Sequence, residues 1–168
     1  LGSKLLFRPA EVTLWSGASG AGKSQILSDC AVDWVQQGSR ICLSSLEMKA
    51  EQSLKRMCKQ VSGVERPTEL CIAESLKWLD SGLLVYEFVG KVTVAALIAI
   101  FDYAKSKYGC DQFIIDSLMR LGVASDDYVG QEKAMFQMVD WAVASGVHLH
   151  LVAHSRKGGS DSGAPETE

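Results

Sequence analysis

What this sequence lacks narrows its function before any motif is read. Positive charge is not in excess. Seventeen Lys and Arg stand against 20 Asp and Glu, for a net charge of −3 and a pI near 5.6, so no global basic field draws the chain to nucleic acid or a membrane. No apolar run can cross a bilayer, which takes about 20 residues; the longest, Val92 to Phe101, has ten. Paired cysteine motifs are missing. The five cysteines are an odd number with no CxxC and no zinc-ribbon spacing, and each lies in an apolar or helix-patterned stretch where a thiol behaves as a small hydrophobe. A reducing, cytoplasmic setting follows. There is no signal-peptide layout and no internal repeat. The opening Leu1-Gly2-Ser3, without methionine, reads as the start of an excised fragment. With 47% hydrophobic and 22% charged residues, a disordered or collagen-like chain is excluded and a single globular domain over residues 1–168 is the expectation.

What is present is an alternation of strand and helix signals. Short apolar strands are predicted over 11–16, 40–44, 83–88, 111–116 and 147–153. Helices are predicted over 22–37, 49–61, 67–79, 93–108 and 128–145, with Pro67 as a first helical residue and Gly63 and Gly109 as stops. Such βαβ units build an α/β fold, a mostly parallel sheet with helices on both faces. Ligands of these sheets bind outside the carboxyl ends of the strands. The stretch 155–168 (SRKGGSDSGAPETE) has almost nothing to bury and reads as a mobile loop; with no sixth strand after it, the domain is expected to continue.

Gly17-Ala18-Ser19-Gly20-Ala21-Gly22-Lys23-Ser24 fits GxxxxGK[ST], after a predicted strand and before a predicted helix. Glycines let backbone N–H groups converge on phosphate oxygens, and a helix N-terminus adds positive potential. Gly17, Ser19, Gly20, Ala21, Gly22, Lys23, Ser24 and Gln25 are therefore the candidate nucleotide contacts. Lys23 is placed to reach the β- and γ-phosphates and Ser24 to ligate Mg²⁺.

The other candidates sit at strand ends. Asp116 closes FIID, where a carboxylate can hold a Mg²⁺ shell; the plainer reading is a helix N-cap. Asp111, at the opposite end of that strand, reads as a turn residue. Glu47, in SSLE, has two readings that the sequence weighs about evenly. One is a capping box with Ser44; the other is a carboxylate that polarises the water attacking the γ-phosphate. His148, His150 and His154 share parity on one strand, yet a buried parallel strand is a poor place for zinc. His154 differs because it stands at the carboxyl end, near the phosphates. Arg156 and Lys157 are candidate phosphate or DNA contacts, or solvated loop cations. Trp34, Trp78 and Trp141 fall at helical spacing and read as core, and Asp126-Asp127 as a solvated loop.

GASGAGKS, SSLEM, FIIDSL and HLHLVAHSRK together resemble the RecA-like motor domain of hexameric replicative helicases: the bacterial DnaB type, the phage primase-helicases and mitochondrial Twinkle. The resemblance runs from about Phe7 to Lys157, and the histidine of HSRK is similar to the phage and Twinkle branch. It implies a phage or prophage source and a P-loop ATPase that binds ATP and Mg²⁺, with Lys23 and Ser24 holding Mg-ATP. Glu47 would be the catalytic base, Asp116 the metal-shell acid and His154 the γ-phosphate sensor. It also implies single-stranded DNA as partner and a homo-oligomeric, hexameric ring. Ser155 departs from the proline of that branch, and the later segment with its DNA loop and arginine finger is not in this sequence, so weak hydrolysis by this stretch alone is expected. The alternatives are a RecA- or KaiC-like ATPase without unwinding activity, a small-molecule kinase, for which no lid is apparent, and an ATP-binding scaffold without turnover.

Overall fold

The structure, a computed structural model, describes residues 6–88, 90–123 and 126–154. In chain order these form β1 (Val12–Gly17), α1 (Lys23–Gln36), β2 (Ile41–Ser45), α2 (Ala50–Ser62), α3 (Glu69–Leu79) and β3 (Leu83–Glu87). There follow α4 (Val94–Tyr108), β4 (Gln112–Asp116), a 3-10 turn (Leu118–Arg120), α5 (Tyr128–Ser145) and β5 (His148–His154). The predicted α/β fold is the one observed: the five strands make one sheet in the order β1-β5-β4-β2-β3, with every neighbouring pair parallel.

Parallel neighbours need crossover connections, and the helices that make them cover both faces. Strand parity then splits the core in two. Phe113 and Ile115 of β4 pack with Leu97 and Phe101 of α4 and with Met138 and Trp141 of α5. Ile114, between them, packs on the other face with Leu27 and Trp34 of α1, Met57 of α2 and Leu79 of α3. The central strands β2, β4 and β5 are buried almost throughout, whereas the edge strands β1 and β3 are half exposed. That is why the central strands read as continuous apolar runs.

Two local expectations are corrected. Pro67 does not open α3: Thr68 caps it, its hydroxyl accepting from the Cys71 N–H, a donor that an N-cap oxygen satisfies and a proline ring cannot. Asp127 is not merely solvated: its carboxylate accepts from the Gly130 N–H at 2.8 Å and caps α5. The stretch 155–168, with Ser155, Arg156 and Lys157, lies outside the described residues.

Register brings the candidate residues to one end of the sheet. Gly17 pairs with His154, and Ser45 pairs with both Asp116 and Glu87. The carboxyl ends of all five strands therefore share one rim, and the segments that carry Lys23, Glu47 and Ser117 leave from it.

Candidate functional site

The loop between β1 and α1 begins the site. Gly20 and Gly22 have φ of 79° and 81°, a region in which a side chain is strained. Gly22 is the N-cap of α1, with no side-chain cap and no acidic residue in the first turn. The positive end of the helix thus faces the loop with no acidic residue of its own first turn to offset it. The Lys23 ammonium donates to the carbonyl oxygens of Gly17 at 2.7 Å and Ala18 at 2.8 Å, and stands 3.3 Å from His154 Nδ1. Ser19, Gly20 and Ala21 are exposed along the same loop.

Asp116 sits across from the start of α1. Burial is the main cause that raises its carboxyl above the usual carboxylate range, while the Ser24 hydroxyl, which hydrogen-bonds to it, pulls the other way. The nearby Glu47 also raises it; Arg56 and His154 oppose that. A buried carboxylate held against a hydroxyl is a hard-oxygen pair of the kind Mg²⁺ takes. Behind it, Ser24, Ser45, Ser53, Arg56 and Asp116 border a cavity of about 20 Å³, room for a single water.

Glu47 is not half of a capping box. Ser44 lies inside β2 with its hydroxyl buried, and the N-cap of α2 is Lys49. The cap is supplied from β3 instead: Glu87 Oε2 accepts from the Ala50 N–H at 2.7 Å. This leaves Glu47 free of its own helix. Its Oε1 accepts from the Ser117 hydroxyl, and its Oε2 lies 3.6 Å from His154 Nε2. The loop that bears it is tied down by Leu46 N–H to Asp116 O at 2.9 Å and by the Ser45 hydroxyl to Met48 O at 2.5 Å.

The sheet thus gathers Lys23, Glu47, Asp116 and His154 at one rim, and His154 bridges Lys23 and Glu47. With Lys23 donating to Nδ1, the ring presents its Nε2–H to the carboxylate. His148 and His150 take no part. His148 donates from Nδ1 to Arg8 O at 2.7 Å and accepts from Thr13 Oγ1 at 2.9 Å. His150 accepts from Trp15 Nε1 at 3.3 Å and pairs with Gln112 Oε1 at 2.9 Å. Trp34 stacks on His150 with ring centroids 4.4 Å apart. Both nitrogens of each ring are engaged in protein hydrogen bonds. Asp111, at the opposite rim, accepts from the Arg40 N–H at 3.0 Å, as a turn residue. Arg156 and Lys157 lie outside the described residues.

Sequence reasoning missed Ser117, Glu87 and Arg56. Ser117 was in view, next to Asp116 in FIIDSL. Glu87 carries no local signal, since its role depends on the register of β3 against β2. A groove of about 730 Å³ also opens beside the site, lined by Gln25, Lys55, Arg56, Lys59, Gln60 and Val64 among others. It begins at the residue that follows Ser24.

The sequence matches a family of AAA domains over residues 4–160. The chain belongs to that family. This AAA domain is 23% identical, over 167 aligned residues, to a DNA helicase/primase of Enterobacteria phage T3. The match takes in 88% of this chain and 29% of the phage protein, so the AAA domain spans under a third of that relative's length. It also superposes on a solved ATPase domain with a TM-score of 0.74 at 17% identity, covering 89% of this chain and 58% of that one. The likeness shows a shared RecA-like α/β fold. Among the described residues, no helix is long and apolar enough to cross a membrane.

Proposed function

We propose that this AAA domain is the ATP-hydrolysing motor of a DNA helicase, coupling turnover to movement on single-stranded DNA. The observation that carries the reading is the meeting of Lys23, Glu47, Asp116 and His154 around the phosphate loop. Loop N–H groups and the start of α1 receive the phosphates, and Lys23 exchanges the carbonyls of Gly17 and Ala18 for β- and γ-phosphate oxygens. Ser24 and Asp116 would hold Mg²⁺, which when bound neutralises the charge on the phosphates. Glu47 accepts a proton from the attacking water, and its carboxylate is already aimed at the rim. His154, between Lys23 and Glu47, donates a hydrogen bond to the γ-phosphate and loses it on hydrolysis. The groove that starts at Gln25 offers room and polar groups for ribose and base.

The DNA part of the reading is supported by the name of the phage T3 relative. A homo-oligomeric ring, hexameric as in the family that the motifs resemble, would multiply a few local cations along a central channel despite the net charge of −3. The test uses the intact protein and a forked DNA substrate. Glu47→Gln should bind ATP normally while turnover falls by about 10² to 10⁴ and strand separation stops. Unchanged hydrolysis in Glu47→Gln overturns the catalytic assignment. Robust hydrolysis by the unaltered protein without strand separation removes the helicase part and favours a RecA-like ATPase that does not unwind.

A further inference from the structure

We infer that Ser117 is a positioning residue for hydrolysis: its hydroxyl fixes Oε1 of Glu47 so that Oε2 faces the phosphate rim. The inference rests on the catalytic reading of Glu47.

Ser117 is fully buried, directly after Asp116, to which it is joined by a cis peptide bond. Its hydroxyl donates to Glu47 Oε1. A carboxylate only accepts, so the serine proton is committed to it. The backbone under Glu47 is already fixed, by Leu46 N–H to Asp116 O and by the Glu87 carboxylate on the Ala50 N–H. Those contacts hold the loop but not the end of the side chain, which is 29% exposed. Glutamate has three rotatable side-chain bonds, and a carboxylate free to turn would offer either oxygen, or neither, to the water. With Oε1 occupied by Ser117, Oε2 remains on the side of His154 Nε2, 3.6 Å away, and hence of Lys23. One strand end thereby places two groups: Asp116 against Ser24, and Ser117 against Glu47. A general base must lie within hydrogen-bond reach of its proton. A displacement of about 1 Å can cost a hundredfold in rate.

The experiment measures ATP turnover, nucleotide affinity and melting temperature of the intact protein for Ser117→Ala and Ser117→Thr, beside Glu47→Gln. Ser117→Ala should lower kcat about ten- to hundredfold while nucleotide Kd stays within about twofold. Ser117→Thr, which keeps the hydroxyl, should recover most of the rate. If the added methyl does not fit so buried a position, Ser117→Cys keeps the volume with a weaker donor and should fall between serine and alanine. The role is overturned if Ser117→Ala turns over at the normal rate. It is also overturned if alanine, threonine and cysteine variants all lose rate together with affinity and melting temperature, as packing alone would produce. Normal turnover in Glu47→Gln would sink the reading of Glu47 itself. A silent Ser117→Ala beside an inactive Glu47→Gln removes only the role of Ser117.

Discussion

The three histidines of β5 are one residue type on one strand with one parity, yet they serve two regions of the molecule. His148 and His150 lie in its buried half, 2% and 0% exposed. There each ring bridges neighbouring elements: His148 to Thr13 and to the Arg8 carbonyl, His150 to Trp15 and Gln112. His154, four residues beyond His150, has a side chain 23% exposed and meets two charged partners, Lys23 and Glu47. The imidazole is the same in both places. Burial decides whether it acts as a polar core piece, fully engaged and neutral, or as a partly exposed group set between two charged side chains. Parity along a strand therefore says which face a side chain takes, and position along it says whether water and substrate can reach it.

The sharpest way to break this contrast is to remove one ring from each region. His150→Ala deletes the stack on Trp34 and strands Gln112 and the Trp15 indole. The expected loss is about 3 kcal/mol of unfolding free energy, measured by urea denaturation, with ATP affinity retained by the protein that stays folded. His154→Ala should do the reverse, changing stability by under about 1 kcal/mol and lowering ATP turnover about tenfold or more. Equal effects of the two substitutions on stability would mean that the regions are not distinct.

How far each region was legible in the sequence follows the range of the forces that shape it. The glycine-rich loop between β1 and α1 was the plainest local signal because a turn of that kind demands glycine at fixed spacing, and Gly20 and Gly22 do adopt left-handed conformations. The parallel fold was plain because burial on both faces writes apolar runs such as FII and HLHLV. Glu47 was ambiguous because SSLE also spells a helix cap; the decision came from Glu87, 37 residues from the Ala50 N–H it caps, through strand register. Ser117 leaves no pattern, since a serine after an acid is common and only the third dimension brings it to Glu47. The pairing of His148 with Thr13, 135 residues apart, is of the same kind.

Acid offers a second, smaller lever on the same contrast. Burial, with the neighbouring His148 adding to it, drives the His150 imidazole down to about 2, and burial lowers His148 as well. In the unfolded chain each titrates at about 6.5. Below that pH the unfolded state binds a proton that the folded state refuses, so their contribution to stability is complete above pH 6.5 or so and is lost as pH falls toward 2. For His150 alone the slope is about 1.4 kcal/mol per pH unit, or about 2 kcal/mol between pH 7 and 5. Asp116 works in the opposite sense: raised by burial, it favours the folded state as pH drops through the carboxylate range, so the loss should ease at the acid end. Urea melts at pH 7, 6 and 5 measure the slope. It should persist in His154→Ala and flatten in His150→Leu; a slope that disappears only in the former would reverse the comparison.

The smallest expected effect isolates a single hydrogen bond in the buried half. Thr13 Oγ1 donates to His148 Nε2 at 2.9 Å, and the other ring nitrogen is held by Arg8 O at 2.7 Å. Thr13→Val keeps the shape and suits a half-buried strand, but leaves Nε2 of a buried ring without its donor. The cost should be about 1 kcal/mol, read as a shift in the urea midpoint at constant slope. Thr13 pairs with His150 in the β1–β5 register, four positions before Gly17 pairs with His154, and its hydroxyl is bonded to His148 in the buried half. ATP turnover should accordingly stay within about twofold. A larger fall would show that the buried imidazoles set the height of β1, and with it the phosphate loop, so that the two halves of β5 act on the nucleotide together.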